Sequence, residues 1–143
     1  MSSAPVPTAK TLGEKIFGPI TMAIIFIAPG ILHLARPKIY EPIMPPPLKP
    51  KARELILISG VAEIVGGLLY LPQRTRQLAA WYLVALLAAV FPSNIYMTTQ
   101  EKFQKSVPGG LPALLARLPL QFIGMWWLVR LARRTAARAA ASE

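Results

Sequence analysis

The sequence has no cysteine, a single histidine and six acidic residues, and only 15% of its 143 residues are charged. Without cysteine there is no disulfide, no iron–sulfur cluster, no thiolate metal site and no CxxC thiol chemistry. One histidine and few carboxylates leave little from which to build a metal site, and none is expected. Nothing in the chain resembles a nucleophile set beside its base, so catalysis by this chain alone is the least favoured reading. The shortage of charge says most about class. A soluble domain usually has about a quarter of its residues charged.

What the chain has instead is apolar. Hydrophobic residues make up 54% of it, mean hydropathy is +0.46, and the apolar residues come in blocks rather than at an amphipathic period. Crossing a bilayer as a helix takes roughly 17–25 predominantly apolar residues. Four such blocks fit, at about 16–35, 55–71, 78–96 and 111–132. The expected fold is therefore all-α, a bundle of four transmembrane helices over residues 16–132, with a flexible arm before it and a basic tail, 133–143, after it. The opening stretch MSSAPVPTAKTLGEK lacks the layout of a secretory signal and is expected to be retained.

Prolines punctuate the blocks. Pro29-Gly30 should kink the first span and Pro92 the third, while Pro112 and Pro119 blur the start of the fourth. RPKIYEPIMPPPLKPKARE, between the first two spans, holds six prolines. That density predicts extended, polyproline-like backbone. Ile39, Tyr40, Ile43 and Met44 make it too apolar for a free linker, so it should lie on the membrane surface.

The net charge of +10 could suggest nucleic acid, but the basic residues sit at the ends of apolar blocks. There they act as topology signals and contacts to anionic headgroups. Both faces carry similar numbers, and the dense arginine cluster after the fourth span tips both termini towards the cytoplasm. Tyr70, Trp81, Tyr82, Trp126 and Trp127 would then form an aromatic belt near that face.

The polar residues inside the spans gather at the other face. At about 1.5 Å of rise per residue, Glu63 lies roughly 12 Å below that surface, Arg117 about 9 Å and Gln121 about 15 Å. His33 ends the first span there and Asn94 the third. Gly60, Glu63 and Gly67 share one stripe, and Arg117, Gln121 and Gly124 another. Small residues permit close helix approach, so both stripes should face neighbours rather than lipid. A carboxylate at this depth needs a partner. Arg117 is the expected counter-ion of Glu63, with Gln121 or Asn94 adding hydrogen bonds. The competing reading is structural, an ion pair that fixes helix register, with His33 interfacial and Asn94 mere glue between helices.

GILHLARPKIYEPIMPP, LISGVAEIVGGLLYLPQRTRQLAAW, FPSNIYM and RLPLQFIGMWW, in that order, resemble the DoxX-like family of small bacterial membrane proteins. The resemblance runs from about residue 16 to 130 and implies a four-helix bundle in the bacterial cytoplasmic membrane. It also implies a link to membrane redox systems, since family members include a subunit of a thiosulfate:quinone oxidoreductase. By motif position its polar set falls on His33, Glu63, Asn94, Arg117 and Gln121.

Three functions follow. The first is a subunit or accessory module that holds a small amphipathic molecule, such as a quinone or a lipid, at those five residues. It would work with a membrane or peripheral redox partner, or as a homo-oligomer, with no intrinsic cofactor. The second is a small proton-coupled transporter using Glu63. An arginine beside Glu63 would weigh against it by holding the carboxylate ionised. The third is a non-catalytic membrane scaffold.

Overall fold

Where the prolines fall decides where the helices stop. The computed structural model describes residues 18–141, which hold five α-helices and no strand. These are α1 (Pro19–Ala35), α2 (Ala52–Tyr70), α3 (Arg76–Thr98), the short α4 (Glu101–Ser106) and α5 (Gly110–Ala140). Pro19 opens α1, where its missing N–H is no loss. Pro37 closes it by driving Arg36 out of the helical region, to φ −139° and ψ 58°. Pro29, Pro92 and Pro119 are carried inside helices that continue past them. At Arg36 the path turns by 98° into the proline-rich connection.

That connection is not the extended segment the proline count suggests. It winds into short 3₁₀ turns, Pro37–Ile39, Glu41–Ile43 and Pro46–Lys51, each with proline at its first or second position. Proline's fixed φ suits a 3₁₀ turn, and its absent donor falls among the N–H groups that a first turn leaves unbonded anyway. At the next connection, α4 leads into α5 through Gly109 and Gly110, at φ +87° and +58°. Only glycine adopts such angles freely.

The four long helices pack in chain order, α1 on α2, α2 on α3 and α3 on α5. The apolar core sits at one end, where α2 finishes and α3 begins. Met22 and Phe26 of α1, Tyr70 of α2, Ala79, Ala80 and Leu83 of α3, and Leu128, Leu131 and Ala132 of α5 meet there. Tyr70 is fully buried, at 0% exposure, and its hydroxyl donates to the Leu128 carbonyl at 3.0 Å. The expected place of Tyr70 in an aromatic belt is thus corrected. Facing α5, its ring fills the core while a carbonyl in reach satisfies its polar end.

Arg76, otherwise read as one of the topology charges, is buried beside it. Its guanidinium donates to the carbonyls of Tyr70 at 2.9 Å and Leu71 at 2.5 Å. Those groups close α2, whose last turn has carbonyls without helical partners and a partial negative charge.

Large apolar side chains cover the outside, among them Ile20, Ile24 and Ile31 on α1, Ile58 and Leu68 on α2, Leu78 on α3 and Phe122 on α5. A patch of that extent marks contact with lipid or another protein. Two helices, Arg76–Thr98 and Gly110–Ala137, are long and apolar enough to cross a membrane, and α1 with its bent continuation makes a third. Length and composition thus support two or three spans where the apolar blocks suggested four. Within residues 18–141 α1 has 17 residues, and α2 carries Arg53, Glu54 and Glu63 within its 19. The arm at 1–15 and the start of the first expected span lie outside the described residues. At the other end α5 runs on to Ala140, well beyond 132, because alanine and arginine are strong helix formers even where the apolar pattern has ended.

Candidate functional site

Glycine sets the site at the end away from the core. A Cβ on Gly30 would lie 2.7 Å from the Gly60 carbonyl oxygen, and one on Gly60 would lie 2.8 Å from that of Gly30. The α1 and α2 backbones therefore touch at this crossing. Each glycine also leaves room for a polar residue of the other helix. The Gly60 position abuts His33 Cβ at 2.8 Å, and the Gly30 position abuts Glu63 Cβ at 3.1 Å.

The crossing brings His33 and Glu63 together. His33 Nδ1 lies 3.5 Å from Glu63 Oε2, with the side chains only 15% and 12% exposed. That is close enough for an ion pair when the imidazole is protonated, but neither atom has a hydrogen-bond partner. Ser59, one turn earlier on α2, donates to the other carboxylate oxygen at 3.3 Å. Above the pair, the bend after Arg36 swings Tyr40 edge-on to the His33 ring, with centroids 4.1 Å apart. The connection is anchored over this end by Met44, whose sulfur accepts from the Ser93 hydroxyl of α3 at 3.8 Å.

The other three expected residues are arranged differently. Asn94 donates to Gln121 at 2.7 Å, and Gln121 donates onward to the Leu87 carbonyl at 2.8 Å. This chain ties α3 to α5. Arg117 is exposed and joins neither pair, although both it and Glu63 lie within electrostatic reach of Tyr40. The expected Glu63–Arg117 ion pair is not formed. Among the described residues the ion pairs are His33–Glu63 and the exposed Lys105–Glu101. The reason is rotational. The face of α2 that carries Glu63 is turned to α1, while α5 packs on α3.

The two glycine stripes also part company. Gly60 and Gly67 both abut α1, whereas a Cβ on Gly124 would meet nothing within 4 Å. The Arg117–Gln121–Gly124 face therefore touches a neighbour at Gln121 but not at Gly124. Sequence reasoning missed Ser59 and Tyr40. Ser59 stands four residues before Glu63, a legible helical spacing; Tyr40 arrives only through the bend at Pro37. Among the described residues no three histidine, cysteine or acidic side chains gather as metal ligands.

Residues 22–141 match the family described as Domain of unknown function (DUF8561). The chain belongs to this family. No curated protein and no solved structure matches it. Membership in DUF8561 overturns the resemblance to DoxX-like proteins, and the redox partnership and bacterial address implied by that resemblance lose their support. Its motifs were apolar helices, a proline-rich connection and arginines at helix ends, which the bilayer imposes on many unrelated small membrane proteins. The DUF8561 match begins inside α1 and takes in all five polar residues singled out above.

Proposed function

We propose that this DUF8561 protein is a four-span membrane protein that holds the polar head of a small amphipathic molecule at the His33–Glu63 pair. One observation carries the reading. His33 Nδ1 and Glu63 Oε2 are buried, face each other at 3.5 Å, and have no hydrogen-bond partner. Buried polar atoms are nearly always satisfied, so a pair of this kind is suited to a group that arrives from outside the chain. A quinone serves as an example: a carbonyl oxygen accepts from the imidazole N–H, and the hydroxyl of the reduced form donates to the carboxylate. A separate protein would exchange the electrons. Tyr40 would close over the head, and the apolar tail would leave between helices.

In this reading Asn94 and Gln121 fasten α3 to α5, because their amides are already engaged with each other and with Leu87. Arg117 is kept for the rim. The arginine-rich end of α5 would face the cytoplasm with both termini. The absence of native cysteine makes this easy to test: a single cysteine in place of Ala141 should react with an impermeant maleimide only after the membrane is opened.

Binding is tested with purified protein and a short-chain ubiquinone analogue. Loss of one hydrogen bond of about 1.4 kcal/mol weakens binding about tenfold. His33→Ala should show that loss with the oxidised form of the analogue, whose carbonyl accepts from the imidazole, Glu63→Gln with its reduced form, whose hydroxyl donates to the carboxylate, and Asn94→Leu with neither. Absence of binding, or binding indifferent to both variants, would sink the proposal.

A second reading gains from the same geometry. With His33 rather than Arg117 beside Glu63, no permanent cation pins the carboxylate, so Glu63 could load and release a proton in a carrier cycle. Proton-driven uptake into vesicles that Glu63→Gln abolishes would decide for it.

A further inference from the structure

A groove of about 380 Å³ opens between α3 and α5 at the core end, away from the His33–Glu63 pair. Its deep part is lined by Val84, Met125 and Val129, and its mouth by Trp81 and Trp126 with Arg130 and Arg133. Met125 and Arg133 are eight residues apart on one helix, about 12 Å along its axis. Along that axis Met125 and Trp126 lie at one end and Arg130 and Arg133 at the other, so the groove passes from apolar to cationic along the direction in which a lipid passes from chain to headgroup.

The two arginines are held ready. The Arg130 guanidinium lies over the Trp126 ring at 4.6 Å from its centroid, and that of Arg133 over Trp81 at 5.7 Å. Neither forms an ion pair among the described residues. Among the described residues no carboxylate neutralises them: Glu41, Glu54 and Glu101 lie at the other end of the bundle, and Glu63 faces His33. Stacking on an aromatic face leaves the guanidinium edge free to donate, and a planar fork of donors matches a phosphate diester. Tryptophan rings at this level are at home among headgroups and glycerol.

We infer that the α3–α5 groove is a binding site for one anionic phospholipid, with its phosphate between Arg130 and Arg133 and an acyl chain along Val84, Met125 and Val129. The charge excludes a preference for zwitterionic lipid, and the aliphatic floor distinguishes a lipid from a free anion. The inference rests on the membrane reading but not on any ligand at His33 and Glu63.

Native mass spectrometry of protein released from nanodiscs that contain equal phosphatidylglycerol and phosphatidylcholine tests it. Two arginines at the headgroup level correspond to about 30-fold preference for the anionic lipid. One phosphatidylglycerol should stay bound per chain, 10 mM inorganic phosphate (about that concentration) should not displace it, and Arg130→Gln/Arg133→Gln should reduce the preference to parity. Both side chains are exposed, so the variant should keep the helical circular dichroism of the parent. Lys49→Gln/Lys51→Gln removes equal charge at the opposite end and should leave the preference intact. Equal retention of the two lipids, a preference that survives the double arginine variant, or equal loss in the lysine variant would overturn the site. Failure to enter nanodiscs of any composition would overturn the membrane reading itself.

Discussion

The two ends of the bundle are built on opposite plans. Around Tyr70, Leu83 and Leu128 large side chains are sealed from solvent, and Arg76, buried beside them, donates to backbone carbonyls. Around Gly30 and Gly60 the backbones touch, and two polar side chains beside them face each other without a bond. An unsatisfied buried polar atom costs about 1–3 kcal/mol. The apolar end can offset such a cost, because full burial of a single large side chain contributes about 1.5–3 kcal/mol. Stability and the candidate site are thus separated along the same helices, and the site is free to be a poor core.

The largest effect is expected at the apolar end. Tyr70→Ala removes a ring and an interhelical hydrogen bond and should destabilise the protein by about 3–5 kcal/mol. Tyr70→Phe keeps the ring and should cost only about 1 kcal/mol. SDS titration of the detergent-solubilised protein, followed by circular dichroism, measures both. If Tyr70→Ala proves no worse than a change at His33, the division between the ends is wrong.

Gly60→Ala comes next. Its Cβ would press on the Gly30 carbonyl, a backbone atom that cannot rotate away, and on His33 Cβ. Overpacking of this kind costs about 1–3 kcal/mol. The same change should separate α1 from α2 and weaken ligand retention at the pair. A variant with reduced stability but unchanged retention would show that the crossing does not shape the site.

A smaller effect is expected between α3 and α5. Asn94→Leu and Gln121→Leu should each cost about 0.6–1.7 kcal/mol, the range of interhelical hydrogen bonds in membranes. The double variant should cost little more than Gln121→Leu alone, because that change already removes the shared bond together with the one to the Leu87 carbonyl. Additive losses in that cycle would mean that the two amides work separately.

These expectations depend on how far the sequence could be read. The long helices were legible because apolar blocks of this length have few alternatives. Their ends were less so: α5 continues past the last apolar residue on alanine and arginine, which carry helix propensity without hydropathy. The proline-rich connection misled because proline density limits long helices but not single 3₁₀ turns. Depth grouped His33, Glu63, Asn94, Arg117 and Gln121 together, whereas the structure pairs His33 with Glu63 and Asn94 with Gln121 and leaves Arg117 exposed. Depth could not supply rotation about each helix axis or the order of packing, so Glu63 was assigned to Arg117 when its face turns to His33. The glycines beside Glu63 held that information, but a small-residue stripe announces a close neighbour without naming it.

The smallest predicted effect separates the two glycine stripes most directly. Gly60 and Gly124 are both helical glycines three residues from a polar or bulky neighbour, and the sequence treats them alike. In the structure one is wedged against α1 and the other faces open space. At Gly124 an added methyl group meets nothing, so only backbone terms remain, and alanine is favoured over glycine within a helix by about 0.5–1 kcal/mol. Gly124→Ala should therefore stabilise the protein by up to that amount, while the identical substitution at Gly60 destabilises it. The sign follows from what each Cβ would touch rather than from the residue type. A loss of stability at Gly124 would mean that this face is covered in the membrane, and a second copy of the chain packed there would be the first occupant to look for, by cross-linking through a cysteine placed at Gly124.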